Sequence, residues 1–156
     1  MNNPKKVITI FPAETSIELS QEVYYYMLMQ VPFGKLTHWR DIEAFLARKF
    51  NVQHISRFDS LPMNMRHLGN FDQNYIIKMI DTVPRHREIS LGGYLEHGDS
   101  QEKELHAEGH VIVTKGPYKK KAVKDFKKSL FDFEKETNVR VETLEKINQN
   151  GLFEYL

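Results

Sequence analysis

The sequence predicts a mostly helical α+β fold that contains a helix-turn-helix and ends in a charged extension. Three observations support this: helical segments are joined across a turn, a glycine-rich segment typical of a turn or wing follows them, and lysines cluster near the C terminus. The 156 residues suffice for one domain, with ordinary proportions of apolar (40%) and charged (28%) residues. We expect an N-terminal segment 1–14, a folded body 15–114 and a Lys-rich helical extension 115–156.

Three helices are predicted in the first half of the chain. The first begins after Ser20, a good N-cap, and ends before Pro32, because apolar residues recur within it at a spacing of four. The second begins after Thr37, which we expect to cap it, and continues to Phe50. A short third helix over 63–69 would complete the helix-turn-helix.

Shorter elements are predicted around these helices. The β-branched run 7–11 favours an edge strand. Residues 51–62 show no regular pattern, and the apolar run 75–80 is compatible with a helix or a strand. The glycines of 89–94 indicate a turn or wing, and 101–108 are predicted to be helical.

The positive charge is concentrated in residues 115–128, which hold seven lysines against one aspartate. Gly116-Pro117 fits a helix start, and the apolar residues that follow at spacings of three and four predict an amphipathic helix, namely Val123, Phe126, Leu130 and Phe133. The lysines would cover its other faces. A solvated surface, a contact with phosphate groups and a contact with the groove of a partner are all compatible with this pattern.

The absence of cysteine excludes whole classes of function. It rules out disulfides, thiolate zinc sites, iron–sulfur clusters and any mechanism with a cysteine nucleophile. No glycine-rich phosphate loop, nucleophile elbow or kinase signature occurs in the sequence, and we expect no cofactor. The lack of a long apolar run and of a convincing signal peptide predicts a cytoplasmic protein without a membrane span.

Five motifs occur in the order found in a known family. They are Val31-Pro32-Phe33-Gly34-Lys35-Leu36-Thr37-His38-Trp39-Arg40-Asp41-Ile42, Arg66-His67-Leu68-Gly69, Pro84-Arg85-His86-Arg87, Leu91-Gly92-Gly93-Tyr94 and Glu108-Gly109-His110. On these motifs, residues 21–110 resemble the DNA-binding domain of the alkylguanine-DNA alkyltransferases (methylated-DNA-protein cysteine methyltransferases). They resemble more closely the cysteine-free relatives of that family, the alkyltransferase-like proteins. The order of the five motifs is more specific than any one of them.

The resemblance implies a winged helix-turn-helix that approaches the minor groove of double-stranded DNA and flips one nucleotide out. Arg66 matches the family's arginine that fills the space left by the extrahelical base, where a planar cation can stack and donate hydrogen bonds. Trp39 matches a tyrosine that presses on the phosphate of the rotated nucleotide, and Arg40 replaces a small glycine. Together with Lys35 and Thr37, these residues form the predicted DNA-binding set.

The Pro84-Arg85-His86-Arg87 motif departs most from the family. Arg85 stands where true alkyltransferases have the acceptor cysteine, and a guanidinium is not a nucleophile, so alkyl transfer to cysteine is chemically excluded. The resemblance places His86 and Glu108 in the base pocket as a hydrogen-bonded pair, which is equally interpretable as a structural pair that holds the loop. Tyr94 matches the tyrosine that contacts the flipped base. Arg85 itself would narrow the pocket, grip a phosphate or bind a guanine edge.

The sequence leaves alternative functions open. A metal site near His106, Glu108 and His110 lacks the spacing of a zincin, and none is predicted. A winged-helix regulator that binds undamaged duplex DNA and a protein-interaction module that has lost DNA binding are the alternatives. We expect a non-enzymatic DNA-binding protein that flips and recognises alkylated guanine and signals DNA repair to a repair-protein partner. The lesion and that partner are not predicted.

Overall fold

The structure, a computed structural model, describes residues 14–59, 62–63 and 82–152. Helices alternate with short sheets within these ranges, in agreement with a mixed α and β fold. The strands are β1 (Glu14–Ser20), β2 (Thr37–His38), β3 (Val52–Asp59), β4 (Glu88–Ile89), β5 (Ile112–Lys115) and β6 (Lys120–Val123). The helices are α1 (Gln21–Met29), α2 (Trp39–Lys49), α3 (Asp99–Ala107), α4 (Phe133–Glu136) and α5 (Val141–Asn150), with 3-10 turns at Arg85–Arg87 and Phe126–Ser129.

The first two predicted helices are present, but only one of them has the predicted cap. The Ser20 hydroxyl accepts a hydrogen bond from the backbone N–H of Glu22 at 3.1 Å, as an N-cap should. Thr37 was expected to cap α2, and this is wrong. Thr37 lies in β2, where it pairs with Glu88 of β4, and its side chain is fully buried. The N-cap position of α2 is His38, whose side chain makes no capping hydrogen bond.

A parallel pair of strands, β1 and β3, packs with α1 and α2, and β3 lies where no regular element was predicted. The two-residue period of β3 is interrupted, because Ile17 pairs with Ile55 while Glu18 pairs with Arg57. Ser56 is the extra residue of this bulge, and its hydroxyl donates to the Ile17 carbonyl at 3.1 Å. The bulge hides the alternation by which a strand is recognised from sequence.

Three further predictions fall on residues outside those described. They are the strand over 7–11, the apolar run 75–80 and nearly all of the helix over 63–69, which contains Arg66. The helix-turn-helix therefore stays a prediction. The turn over 89–94 and the helix over 101–108 are confirmed, since Gly93 has a φ of +85° in a turn and α3 spans Asp99–Ala107.

Residues 116–133 do not form the predicted helix. Gly116, with a φ of +81°, begins the turn between β5 and β6, which pair as an antiparallel hairpin. The apolar residues of the supposed helical stripe are divided between two cores: Val123 and Phe126 pack in one, and Phe133 packs in the other. Their spacing of three and four is a coincidence of the turn and the short elements that follow.

Residues beyond 115 contribute to both hydrophobic cores. One core is built on α1, α2 and α5, and the other unites Leu36, Ile89 and Leu105 with the hairpin. Asn148 of α5 accepts a hydrogen bond from the backbone N–H of Ser20 at 2.6 Å, which ties the last helix to the start of α1. None of the described helices is long and apolar enough to cross a membrane.

Candidate functional site

The carboxylate of Glu108 joins three of the sequence motifs. It accepts a hydrogen bond from the backbone N–H of Gly34 at 2.7 Å, one from the Arg87 guanidinium at 2.9 Å, and one from Nε2 of His86. The Glu108 side chain is only 4% exposed. We call these four residues, Gly34, His86, Arg87 and Glu108, the Glu108 junction. It fixes the turn before α2 and the 3-10 turn at Arg85–Arg87 against the end of α3.

The hydrogen bonds at the junction stabilise the charged form of Glu108. Burial of the side chain raises its pKa, but the hydrogen bonds from His86, Gly34 and Arg87 outweigh burial and leave the pKa below the ordinary value. Arg87 also donates to the Val31 carbonyl at 2.7 Å, so one guanidinium connects the end of α1 to the junction.

The buried amide of Gln101 holds the loop that carries His86. Its Nε2 donates to the carbonyls of His86 and Glu88 at 3.0 and 2.7 Å, and its Oε1 accepts from the backbone N–H groups of Glu96 and His97 at 2.8 Å each. Gln101 is 1% exposed. Its four hydrogen bonds hold two loops against α3 and fix the main chain within the Arg85–Arg87 turn and directly after it.

Two of the predicted base-pocket residues, Arg85 and His86, line one open cavity. Its other lining residues are Val83, His97, Ser100, Gln101 and Glu104. Glu104 Oε2 lies 3.4 Å from Nδ1 of His86, on the opposite side of the ring from Glu108. The Arg85 charge also reaches Tyr25, where it opposes the burial that raises the pKa of that phenol. The cavity can bind a polar ligand through a guanidinium, imidazoles and a carboxylate.

Tyr94, the fourth predicted pocket residue, lies away from that cavity. Its ring is half-buried against the hairpin, with Nζ of Lys115 5.1 Å from the ring centroid. It lines a second cavity together with Ser90, Glu102 and Lys120. The structure therefore places His86 with Glu108 at the junction and with Arg85 in the cavity, and it leaves Tyr94 beside β6.

The predicted DNA-binding residues that the structure describes lie at the start of α2. Trp39 is 42% exposed and packs against Tyr24, with ring centroids 4.7 Å apart. Arg40 is exposed and Lys35 is partly exposed, whereas the Thr37 side chain is not on the surface. Arg66 lies outside the described residues.

The histidines near Glu108 are not arranged around a common centre. His106 is exposed on α3 and lies 3.5 Å from Glu102, while the Glu108 carboxylate is taken up by the junction. Burial lowers the pKa of His110. Within the ranges that the structure describes, no group of three or more His, Asp or Glu side chains could hold a metal ion.

Two important residues of the site were not singled out from the sequence. Arg87 is the last residue of the Pro84-Arg85-His86-Arg87 motif, and its position next to a candidate histidine was a usable signal. Gln101 lies in a polar helical segment among other exposed-type residues, and nothing in the sequence marks it as buried. Its role becomes visible only from the loops that converge on it.

Comparisons with known proteins give a partial likeness. No family model matches the chain, and no curated protein matches it. A solved structure of S. pombe Atl1, in complex with damaged DNA containing O6-carboxymethylguanine, is similar with 17% sequence identity and a TM-score of 0.42. The match covers 81% of this chain and 98% of that chain.

Proposed function

We propose that this protein is a non-enzymatic DNA-binding protein of the alkyltransferase-like type, which recognises an alkylated guanine and marks it for repair. The observation that carries the proposal is the Glu108 junction. Three motifs that are far apart in the sequence and were matched on residue type alone meet at this one buried carboxylate. A chance match of short motifs gives no reason for such a meeting.

The chemistry of the cavity favours recognition over reaction. Arg85 takes the place of the nucleophile, and a guanidinium stays protonated and cannot accept an alkyl group. The chain has no cysteine that could replace it. What the cavity offers a base is a cation from Arg85, a carboxylate from Glu104 and the half-buried imidazole of His86.

The surface at the start of α2 supports DNA as the ligand. Trp39 presents an exposed ring that is held from behind by Tyr24 and Phe58, so it is a firm platform rather than a mobile side chain. Arg40 beside it and Lys35 at the preceding turn supply positive charge for phosphate groups. In this proposal, Arg66 fills the space of the flipped base.

The test is a titration of the protein onto two duplexes that differ in a single O6-methylguanine, followed by fluorescence anisotropy at several salt concentrations. We expect tighter binding of the methylated duplex, by about tenfold or more. Arg66→Ala should remove this preference, because the space left by the flipped base is then unfilled. Arg140→Ala is the matched control, since Arg140 is an exposed arginine 73% accessible at the start of α5.

Two results would contradict the proposal, and a third would contradict its predicted site. Equal affinity for both duplexes would make the protein a general DNA-binding protein without lesion recognition. A lack of binding to either duplex at low salt would mean that the fold serves a protein partner instead. A loss of preference in Arg140→Ala as large as in Arg66→Ala would show that the change is not specific to the predicted site.

A further inference from the structure

An apolar groove with a cationic rim runs along the β5–β6 hairpin and the turn that follows it. Its floor is apolar, and its rim carries four lysines and one acid; the lining residues are Val113, Val123, Phe126, Lys115, Lys124, Lys127, Lys128 and Asp125. Nζ of Lys115 lies over the Phe126 ring, 5.4 Å from its centroid. We call this surface the hairpin groove. Its charge is nearly all of one sign, which suits a polyanion.

The lysines of the groove are not neutralised by the acidic residues near the hairpin. Those acids line a different cavity, where Glu102 binds Nζ of Lys121 at 2.6 Å and raises the pKa of that ammonium. Among the hairpin lysines in the described residues, Lys121 is the one with an ion pair. Asp125 is the one carboxylate that lines the groove, so the field there stays net positive, and a bound anion would meet little competition from the protein's own carboxylates.

The segment that follows the hairpin groove is hydrogen-bonded to the segment before α2. Ser129 accepts a hydrogen bond from the backbone N–H of Leu36 at 2.8 Å, and Phe131 donates to the Leu36 carbonyl at 2.8 Å. Lys128 precedes Ser129 and Lys35 precedes Leu36, so these two lysines lie at the same edge of the protein.

The tip of the hairpin adds an exposed aromatic ring. Tyr118 occupies the turn that the Gly116–Lys119 hydrogen bond closes at 3.1 Å, and it is 85% exposed between lysines. An aromatic ring beside lysines can stack on a sugar or base while the lysines bind phosphates.

We propose that the hairpin groove is a second binding surface for the phosphate backbone of double-stranded DNA. Lys115, Lys124, Lys127 and Lys128 contact phosphates, and Tyr118 lies against the duplex. The inference rests on the proposed function in that DNA is the ligand, but it requires no alkylated base. An acidic protein segment would also be attracted to the lysines. DNA is favoured because the charge continues to Lys35 and extends to the hairpin tip.

The test compares two triple variants of equal charge on an unmodified duplex, by fluorescence anisotropy over a series of salt concentrations. One variant changes the groove: Lys124→Gln, Lys127→Gln and Lys128→Gln. The control changes three exposed lysines outside the hairpin groove: Lys103→Gln, Lys135→Gln and Lys146→Gln. We expect the groove substitutions to reduce the magnitude of the slope of log affinity against log salt concentration by about two to three. The affinity at low salt should fall by about 10–100-fold. The control variant should change the slope by about half a unit or less.

Three results would contradict the proposed groove contact: an equal loss of duplex affinity in both variants, no loss of affinity in either variant, or no duplex binding by the wild type. Polyglutamate is the additional probe. If its binding depends on the three groove lysines while duplex binding does not, the groove serves an acidic protein. The two proposals fail separately. If the wild type does not prefer O6-methylguanine but the groove substitutions still reduce the salt dependence of binding, only the proposed lesion recognition is contradicted. If the wild type prefers O6-methylguanine and the groove substitutions leave the salt dependence unchanged, only the proposed groove contact is contradicted.

Discussion

The Glu108 junction and the hairpin groove hold charge in opposite ways. At the junction, a carboxylate with 4% of its side chain exposed is surrounded by donors from two other segments of the chain. In the groove, four lysines share one aspartate and are otherwise exposed to solvent. The first arrangement stabilises the folded chain and costs free energy when it is broken. The second contributes little to folding and leaves its charge available to a ligand.

Removing the junction carboxylate should have the largest effect. Glu108→Ala removes the acceptor of the Gly34 N–H, of Nε of Arg87 and of Nε2 of His86, at a largely buried position. We expect the free energy of unfolding to fall by about 3 kcal/mol, measured by urea denaturation. Glu104→Ala is the control, because its side chain is 59% exposed and lies 3.4 Å from the same histidine. Equal losses in the two variants would contradict the special position of Glu108.

The junction also illustrates what the sequence could and could not predict. Helix α1 was predictable, because Ser20 is a strong cap and a proline follows the helix. The pairing of His86 with Glu108 came from a family resemblance, and the structure places them together. The role of Gly34 was beyond sequence reasoning, since a backbone N–H donates there and every residue except proline carries one.

The hairpin shows why the helix predicted after residue 115 was wrong. Val123, Phe126 and Phe133 repeat at spacings typical of a helix, yet they belong to different cores. Local periodicity cannot distinguish one buried face from two, because the distinction depends on where the chain reverses direction. A glycine followed by proline fits either a helix start or a turn, and only pairing with β5 decides between them.

A glycine that packs against the floor of the hairpin groove offers the next largest effect. Gly93 has a φ of +85°, and a Cβ built there would overlap the ring of Phe126, while its carbonyl accepts from Val123 at 2.9 Å. We expect Gly93→Ala to lower the free energy of unfolding by about 2–3 kcal/mol. Gly98→Ala separates backbone strain from overlap with a neighbouring side chain, because Gly98 has a φ of +83° and no atom within 4 Å of the added Cβ. That control should lose about 1–2 kcal/mol from backbone strain alone, and an equal loss in both would mean that Phe126 moves aside.

Acid should weaken the junction less than removal of the side chain does, since a protonated carboxyl still fills the space and can accept a hydrogen bond. The pKa of Glu108 is lower in the folded protein than its ordinary value of 4.5. The stabilisation it gives is therefore complete above that value and is lost as the pH falls through the folded-state pKa. Urea denaturation between about pH 7 and pH 3 should show a steeper loss of stability in the wild type than in Glu108→Gln. Parallel curves would contradict this assignment.

The smallest effect on folding is expected in the hairpin groove, where the comparison with the junction is sharpest. The groove variant, with Lys124, Lys127 and Lys128 changed to Gln, should unfold within about 0.5 kcal/mol of the wild type, because these side chains are exposed and their charges repel one another. Any change should be a small gain that disappears in high salt, since screening weakens the repulsion that the variant relieves. A loss of about 2 kcal/mol or more in urea denaturation would mean that these lysines support the fold, and a lower DNA affinity in that variant would then have a structural cause. Unchanged stability with a reduced salt dependence of binding would instead assign their charge to the ligand.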